Sequence, residues 1–150
     1  MTLQLARPNS VTVSFAQLSG AVMRDLLESH FEMISIASNR KVELHDFIRV
    51  SVEIIETHKL IRLSHTLNLS DLYQDKALKI SNQINSVSSR LKCFCIGKED
   101  RNGAEKSIRF ERIIEMNLAD LIKSQDLCDE IGGFQCEIIE LMSNVNRVSV

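Results

Sequence analysis

Residues 70–96 read SDLYQDKALKISNQINSVSSRLKCFCI, and the fold assignment turns on how this stretch is taken. Tyr73, Ala77, Ile80, Ile84, Val87, Leu91 and Phe94 recur in alternating steps of four and three, the spacing of one apolar seam along an α-helix. Ser, Asn, Gln and Lys fill the outward positions. Asn68 and Ser70 are suited to cap such a helix, because their short polar side chains can satisfy its first free amides. The spacing predicts a helix over 70–96 that packs in a coiled coil or an antiparallel bundle.

The flanking segments extend this reading. Neither Gly nor Pro occurs between Gly20 and Gly97, so interruptions there must come from capping residues. Ser14-Phe15-Ala16-Gln17 has the form of a capping box and opens a helix over 14–38, with Phe15, Leu18, Val22, Leu26, Leu27, Phe31 and Ile34 as its apolar stripe. A second helix over 40–67 carries Phe47, Val50, Ile54 and Ile61 on one side and Ile48, Val52, Ile55 and Leu63 on another, so it should be the most enclosed. The glycines and the Asn-Gly pair of 97–103 predict a hairpin reversal. Helices over 103–131, ending at Gly132-Gly133, and over 134–145 follow. The expected fold is all-α: one domain over 1–150, an antiparallel bundle of four long helices plus a short C-terminal helix. Leu3, Leu5, Val11 and Val13 around Pro8 make 1–13 an extended or hairpin-like segment, and 145–150 also alternates, which predicts short β segments at the termini.

Composition supports a folded chain and narrows its class. Five Gly and one Pro in 150 residues are too few for a many-turned sandwich or barrel, and 44% hydrophobic content suffices for a core. Four cysteines in a chain that is neither small nor loop-rich point to a reducing, cytoplasmic setting. The apolar runs fall far short of the ~18 residues of a membrane span, so no membrane partner is expected.

Chemistry-bearing residues are sparse. His58 and His65 lie seven apart, which on a helix separates their rings by ~10 Å, too far for one metal ion. Cys93, Cys95, Cys128 and Cys136 have no zinc-site spacing. Neither a nucleophile elbow nor a phosphate-binding glycine loop is present, so catalytic residues, metal and cofactor are all expected to be none. His65-Thr66-Leu67 resembles the start of the His-Thr-Leu-Lys-Gly core of histidine-phosphotransfer domains, which implies His65 as a phospho-acceptor on a bundle helix. Asn68 and Leu69 stand where those domains have the Lys that neutralises phosphate and the Gly that admits the partner. Leu26 to His30 bears a fainter likeness to the histidine box of sensor kinases.

Charge is unevenly spread although the net is only −2. Arg90, Lys92, Lys98, Arg101, Lys106, Arg109 and Arg112 form a basic stretch, whereas 113–140 holds seven acidic residues against Lys123 alone. On the helical reading the basic stretch is a hairpin tip that could take an anion or an acidic partner. Nucleic acid is not favoured, because it would call for a larger excess and free aromatic stacking groups. The function expected is therefore a non-catalytic protein–protein interaction module: a small cytoplasmic regulator, adaptor or chaperone-like protein acting as a homodimer. The alternatives are a phosphotransfer or kinase-dimerisation-like module using His65, and a nucleic-acid-binding helical dimer using the basic tip.

Overall fold

Val50-Ser51-Val52-Glu53-Ile54-Ile55 shows why the middle of the chain is not helical. Val50, Val52 and Ile54 are buried while Ser51, Glu53 and Ile55 are half-buried, the period-two pattern of a strand with one face on a core. Four of these six residues are β-branched, which fits a pleated surface better than a helical turn. The computed structural model describes residues 11–68, 76–87, 90–100, 103–116 and 119–148.

In chain order the elements are β1 (Thr12–Ser14), α1 (Gly20–Leu27), β2 (Ile34–Ser38), β3 (Lys41–Leu44), β4 (Val50–Ile55), β5 (Leu60–Asn68), α2 (Ala77–Val87), β6 (Lys92–Asp100), β7 (Gly103–Glu115), β8 (Leu121–Lys123) and α3 (Ser124–Val148). The expected all-α bundle and coiled coil are thereby overturned. Among the described residues there are eight strands in two antiparallel sheets, ordered β2-β3-β4-β5-β7-β6 and β1-β8, and three α-helices.

The expected helix over 134–145 is helical within α3, whereas those before it fail for local reasons. That over 14–38 shrinks to α1, capped by the Ser19 hydroxyl, which accepts from the Val22 amide at 3.2 Å. The Gln17 side chain does accept from the Ser14 amide, but the turn it closes is a single 3₁₀ turn over 15–17. The expected helix over 40–67 becomes β3, β4 and β5. Of the seam in 70–96, Ala77, Ile80 and Ile84 are buried on α2, after which the chain turns into β6. The reversal near 97–103 exists, but it joins β6 to β7, with Asp100 opposite Gly103.

At the C-terminal end α3 continues through Gly132-Gly133 instead of stopping there. Leu127, Ile131, Phe134 and Ile138 share its buried face, and that packing outweighs the ~1 kcal/mol each glycine costs a helix interior. β1 pairs with β8, Val13 opposite Ile122. The rest of the expected N-terminal hairpin, over 1–10, lies outside the described residues. So does the end of the expected C-terminal strand, of which 145–148 is helical. No helix of the described residues is long and apolar enough to cross a membrane.

The chain divides into two compact units, one of 1–63 with 113–135 and one of 64–112 with 136–150. In the first, Gly20 allows α1 to approach β2 closely, since a Cβ there would stand 2.4 Å from the Ser38 carbonyl oxygen. In the second, α2 packs beside β6 over a core that includes Ile84, Leu91, Ile108 and Phe110.

The four thiols are free and differ in environment. Burial pushes the Cys93 and Cys128 thiols from the usual 9.0 up to about 11, reinforced by the Cys95 and Asp129 charges and opposed at Cys93 by the Ser81 hydroxyl. Raised values favour the folded state below pH 9, an advantage lost as pH climbs through 11. A two-unit rise leaves roughly a hundredfold less thiolate at pH 8. A disulfide-exchange reagent at pH 8 is therefore expected to label exposed Cys136 in seconds and Cys93 and Cys128 only on unfolding. Four equally fast thiols would contradict this packing.

Candidate interaction surface

The link between β3 and β4 is built around Phe47. On one side the Asp46 carboxylate accepts from the backbone amides of Glu32 and Met33, each at 2.9 Å. On the other, the Gln135 side-chain amide on α3 donates to the Asp46 carbonyl at 2.9 Å and to the Ile48 carbonyl at 3.4 Å. Gln135 is only 4% exposed, and the carbonyls it holds flank Phe47. Phe47 itself has φ of 62°, in the left-handed region. For a residue with a Cβ that costs of order 1–3 kcal/mol, and such strain persists only where its surroundings over-determine it.

The strain is not offset by burial. The Phe47 ring is 91% exposed. Singly exposed apolar side chains are ordinary, but this one is fixed by four hydrogen bonds from its turn to the rest of its unit. Beyond the turn, Arg49 ion-pairs with Glu43. Burial raises the Glu43 carboxyl, but Arg49, Lys41 and the Ser51 hydroxyl together outweigh it and hold it below the usual value.

Met33, 59% exposed, is tied to the same turn, because the His45 amide donates to its carbonyl at 2.9 Å. That bond sets the phase of β2. With Ile34 opposite Leu44 and Ile36 opposite Val42, Met33 and Ser35 turn their backbone groups toward β3, and Ile34 and Ile36 turn theirs to the open edge of the sheet. Ile36 shares a face with buried Val42 and lies beside Gly20 of α1, and it is 45% exposed.

In the other unit, β6 is met at one residue by a side chain. Cys93 of β6 donates its amide to the Asn85 side-chain oxygen at 2.7 Å and accepts from the Asn85 amide nitrogen at 2.8 Å. Asn85 thus stands in for a neighbouring strand at that point.

The sequence-predicted site residues do not assemble as expected. His65 lies half-exposed on β5, its ring stacked 6.2 Å from buried Phe110, so the bundle helix on which a phosphotransfer histidine would sit is absent. Arg90 and Lys92 are exposed, and Lys98 on β6 stands opposite Glu105 in the ladder. Lys106 is on β7, while Arg101 lies outside the described residues. Arg109 ion-pairs with Glu111 at 2.7 Å, and Arg112 is buried against Glu137 at 2.8 Å. Spaced three apart on β7, Arg112 lies on the opposite side of the strand from Arg109. Phe47 and Gln135, by contrast, were missed: Phe47 was placed in a buried helical stripe, and Gln135 carried no signal.

One open cleft of about 450 Å³ lies at the start of α3, between Ile114–Met116 and Leu121–Glu130. Glu115, Asp126, Asp129 and Glu130 line it with Lys123, and its walls include no Ser, Thr, Cys or His. Among the described residues no three His, Cys, Asp or Glu side chains gather as a metal site.

No family pattern matches the sequence, and no curated protein is similar to it. The fold is similar to that in the "crystal structure of YbjN, a putative transcription regulator from E. coli", with a TM-score of 0.62 over 85% of this chain and 92% of that one, at 14% identity.

Proposed function

We propose that this chain is a small non-catalytic regulatory protein of the cytoplasm that acts by protein–protein contact, working as a homodimer and offering Phe47 to its target. The observation that carries this reading is the clamped turn: a strained, fully solvated aromatic gains nothing for its own fold and everything as a pre-organised anchor. Aromatic residues held ready in this way bind with little ordering cost. The fold shared with a protein described as a transcription regulator supports the regulatory part. Protein contact is favoured over nucleic acid because Arg109 and Arg112, central to the basic stretch, are engaged with Glu111 and Glu137.

Benzoylphenylalanine placed at Phe47 in the native host is expected to photo-cross-link one discrete protein, and the purified pair to bind 1:1. Phe47→Gly separates function from fold. Glycine relieves the left-handed strain, so stability is expected to hold or rise by about 0.5–1 kcal/mol, while target affinity falls roughly thirtyfold, as for an interface hot spot. Unchanged affinity in Phe47→Gly would remove Phe47 from the contact.

A further inference from the structure

We infer that the target of Phe47 is a protein whose apolar groove carries a lysine or arginine at its rim, that Met33 is the second side chain the groove takes, and that Glu32 meets the cation. The inference rests on the Phe47 reading above and names the chemistry of the partner.

Met33 is held by the same turn that presents Phe47. Its amide donates to Asp46 Oδ1 and its carbonyl accepts from the His45 amide, each at 2.9 Å, so both of its backbone groups are bonded to residues within two positions of Phe47. Just before it, buried Phe31 closes the end of α1, its amide donating to the Leu27 carbonyl at 3.0 Å. An exposed side chain on backbone fixed at both ends loses only its own rotamer freedom on binding. The unbranched, polarizable thioether of methionine adapts to contours that a rigid ring cannot follow. Phe47 and Met33 are therefore two anchors on one hydrogen-bonded unit, the first rigid and the second adaptable.

The charges beside these anchors select the rim. Arg49 is matched by Glu43, and the Asp46 carboxylate is engaged by the two amides. Glu32, next to Met33, is exposed, and among the described residues its carboxylate has no ion-pair partner. Its backbone is fixed as well, because its amide donates to Asp46 Oδ2 at 2.9 Å. The balance next to the anchors is negative, so a neutral or acidic groove would desolvate Glu32 without return, whereas a basic rim is complementary and speeds encounter.

The probe is the protein captured through Phe47, purified and titrated against the full chain. Met33→Ala is expected to weaken binding roughly tenfold and Met33→Leu less than threefold. Glu32→Lys is expected to weaken it at least tenfold, chiefly through slower association, and Glu32→Gln about threefold, a difference that 0.5 M salt should erase. None of these changes touches the backbone bonds to Asp46 and His45, so urea unfolding should stay near wild type. Benzoylphenylalanine at position 33 is expected to cross-link the same protein as at Phe47. An adduct at 47 with none at 33, or full affinity in Met33→Ala, overturns the second anchor and leaves the Phe47 reading standing. Equal or tighter binding by Glu32→Lys overturns the basic rim. No adduct at either position removes the Phe47 reading and this inference with it.

Discussion

Gln135→Leu is expected to lower stability by about 2–3 kcal/mol and to abolish the photo-cross-link at Phe47. Leucine keeps the volume of the side chain and removes its donor. The half-buried carbonyls of Asp46 and Ile48 then lose a partner that is itself only 4% exposed. Each buried acceptor left unmade costs roughly 1–3 kcal/mol, and part is recovered when the freed turn lets Phe47 leave its strained conformation. That recovery is itself the functional loss, because the ring is then no longer presented in one geometry. Urea unfolding measures the first effect, and amide exchange of Phe47 and Arg49, expected to quicken at least tenfold, measures the second. Destabilisation with an undiminished adduct would mean that the clamp serves the fold alone.

Much of the core was legible in the sequence, and the periodicity that organises it was not. Val50, Val52, Ile54, Ile61 and Leu63 read as buried positions and are buried. In 40–67, though, apolar residues on two sides of a supposed helix and apolar residues on alternate sides of three strands produce nearly the same pattern. The β-branched Val50, Val52, Ile54 and Ile55 were the signal that could have separated them. The scarcity of glycine and proline argues against a many-turned sandwich or barrel, yet it does not preclude the eight strands seen, because this chain turns without them. Phe47, Lys59 and Asp120 all take left-handed φ angles that usually mark glycine. Where helical spacing coincided with polar flanks and few β-branched residues, as at Ala77, Ile80 and Ile84, the reading held. The candidate surface was hidden for a different reason. Gln135 bonds a carbonyl 89 residues away, and no local pattern records such a pairing.

The last expected result discriminates the strand from the helix at Arg112. As an exposed member of a basic helical tip it could be replaced by Ala within about 0.5 kcal/mol, as most surface residues can. On β7 it alternates inward with Ile108 and Phe110, is 6% exposed, and donates to the Glu137 carboxylate on α3 at 2.8 Å. Arg112→Ala is therefore expected to cost about 3 kcal/mol, chiefly because a long packed stem is lost and a cavity left. Glu137, a third exposed, can rehydrate and adds little to that cost. Arg112→Met keeps the stem and removes the charge, and is expected to cost at most about 1 kcal/mol, since an apolar residue of similar volume often replaces a buried ion-pair partner without loss. Glu137→Ala, which leaves the guanidinium enclosed without that carboxylate, should be the worse of the two charge deletions, by about 1–2 kcal/mol over Arg112→Met. Raising salt to 1 M should change these differences little, because enclosed pairs are screened far less than surface ones. Urea unfolding of the three variants gives the order directly, and an Arg112→Ala protein as stable as wild type would place this side chain in solvent and displace the inward face of β7.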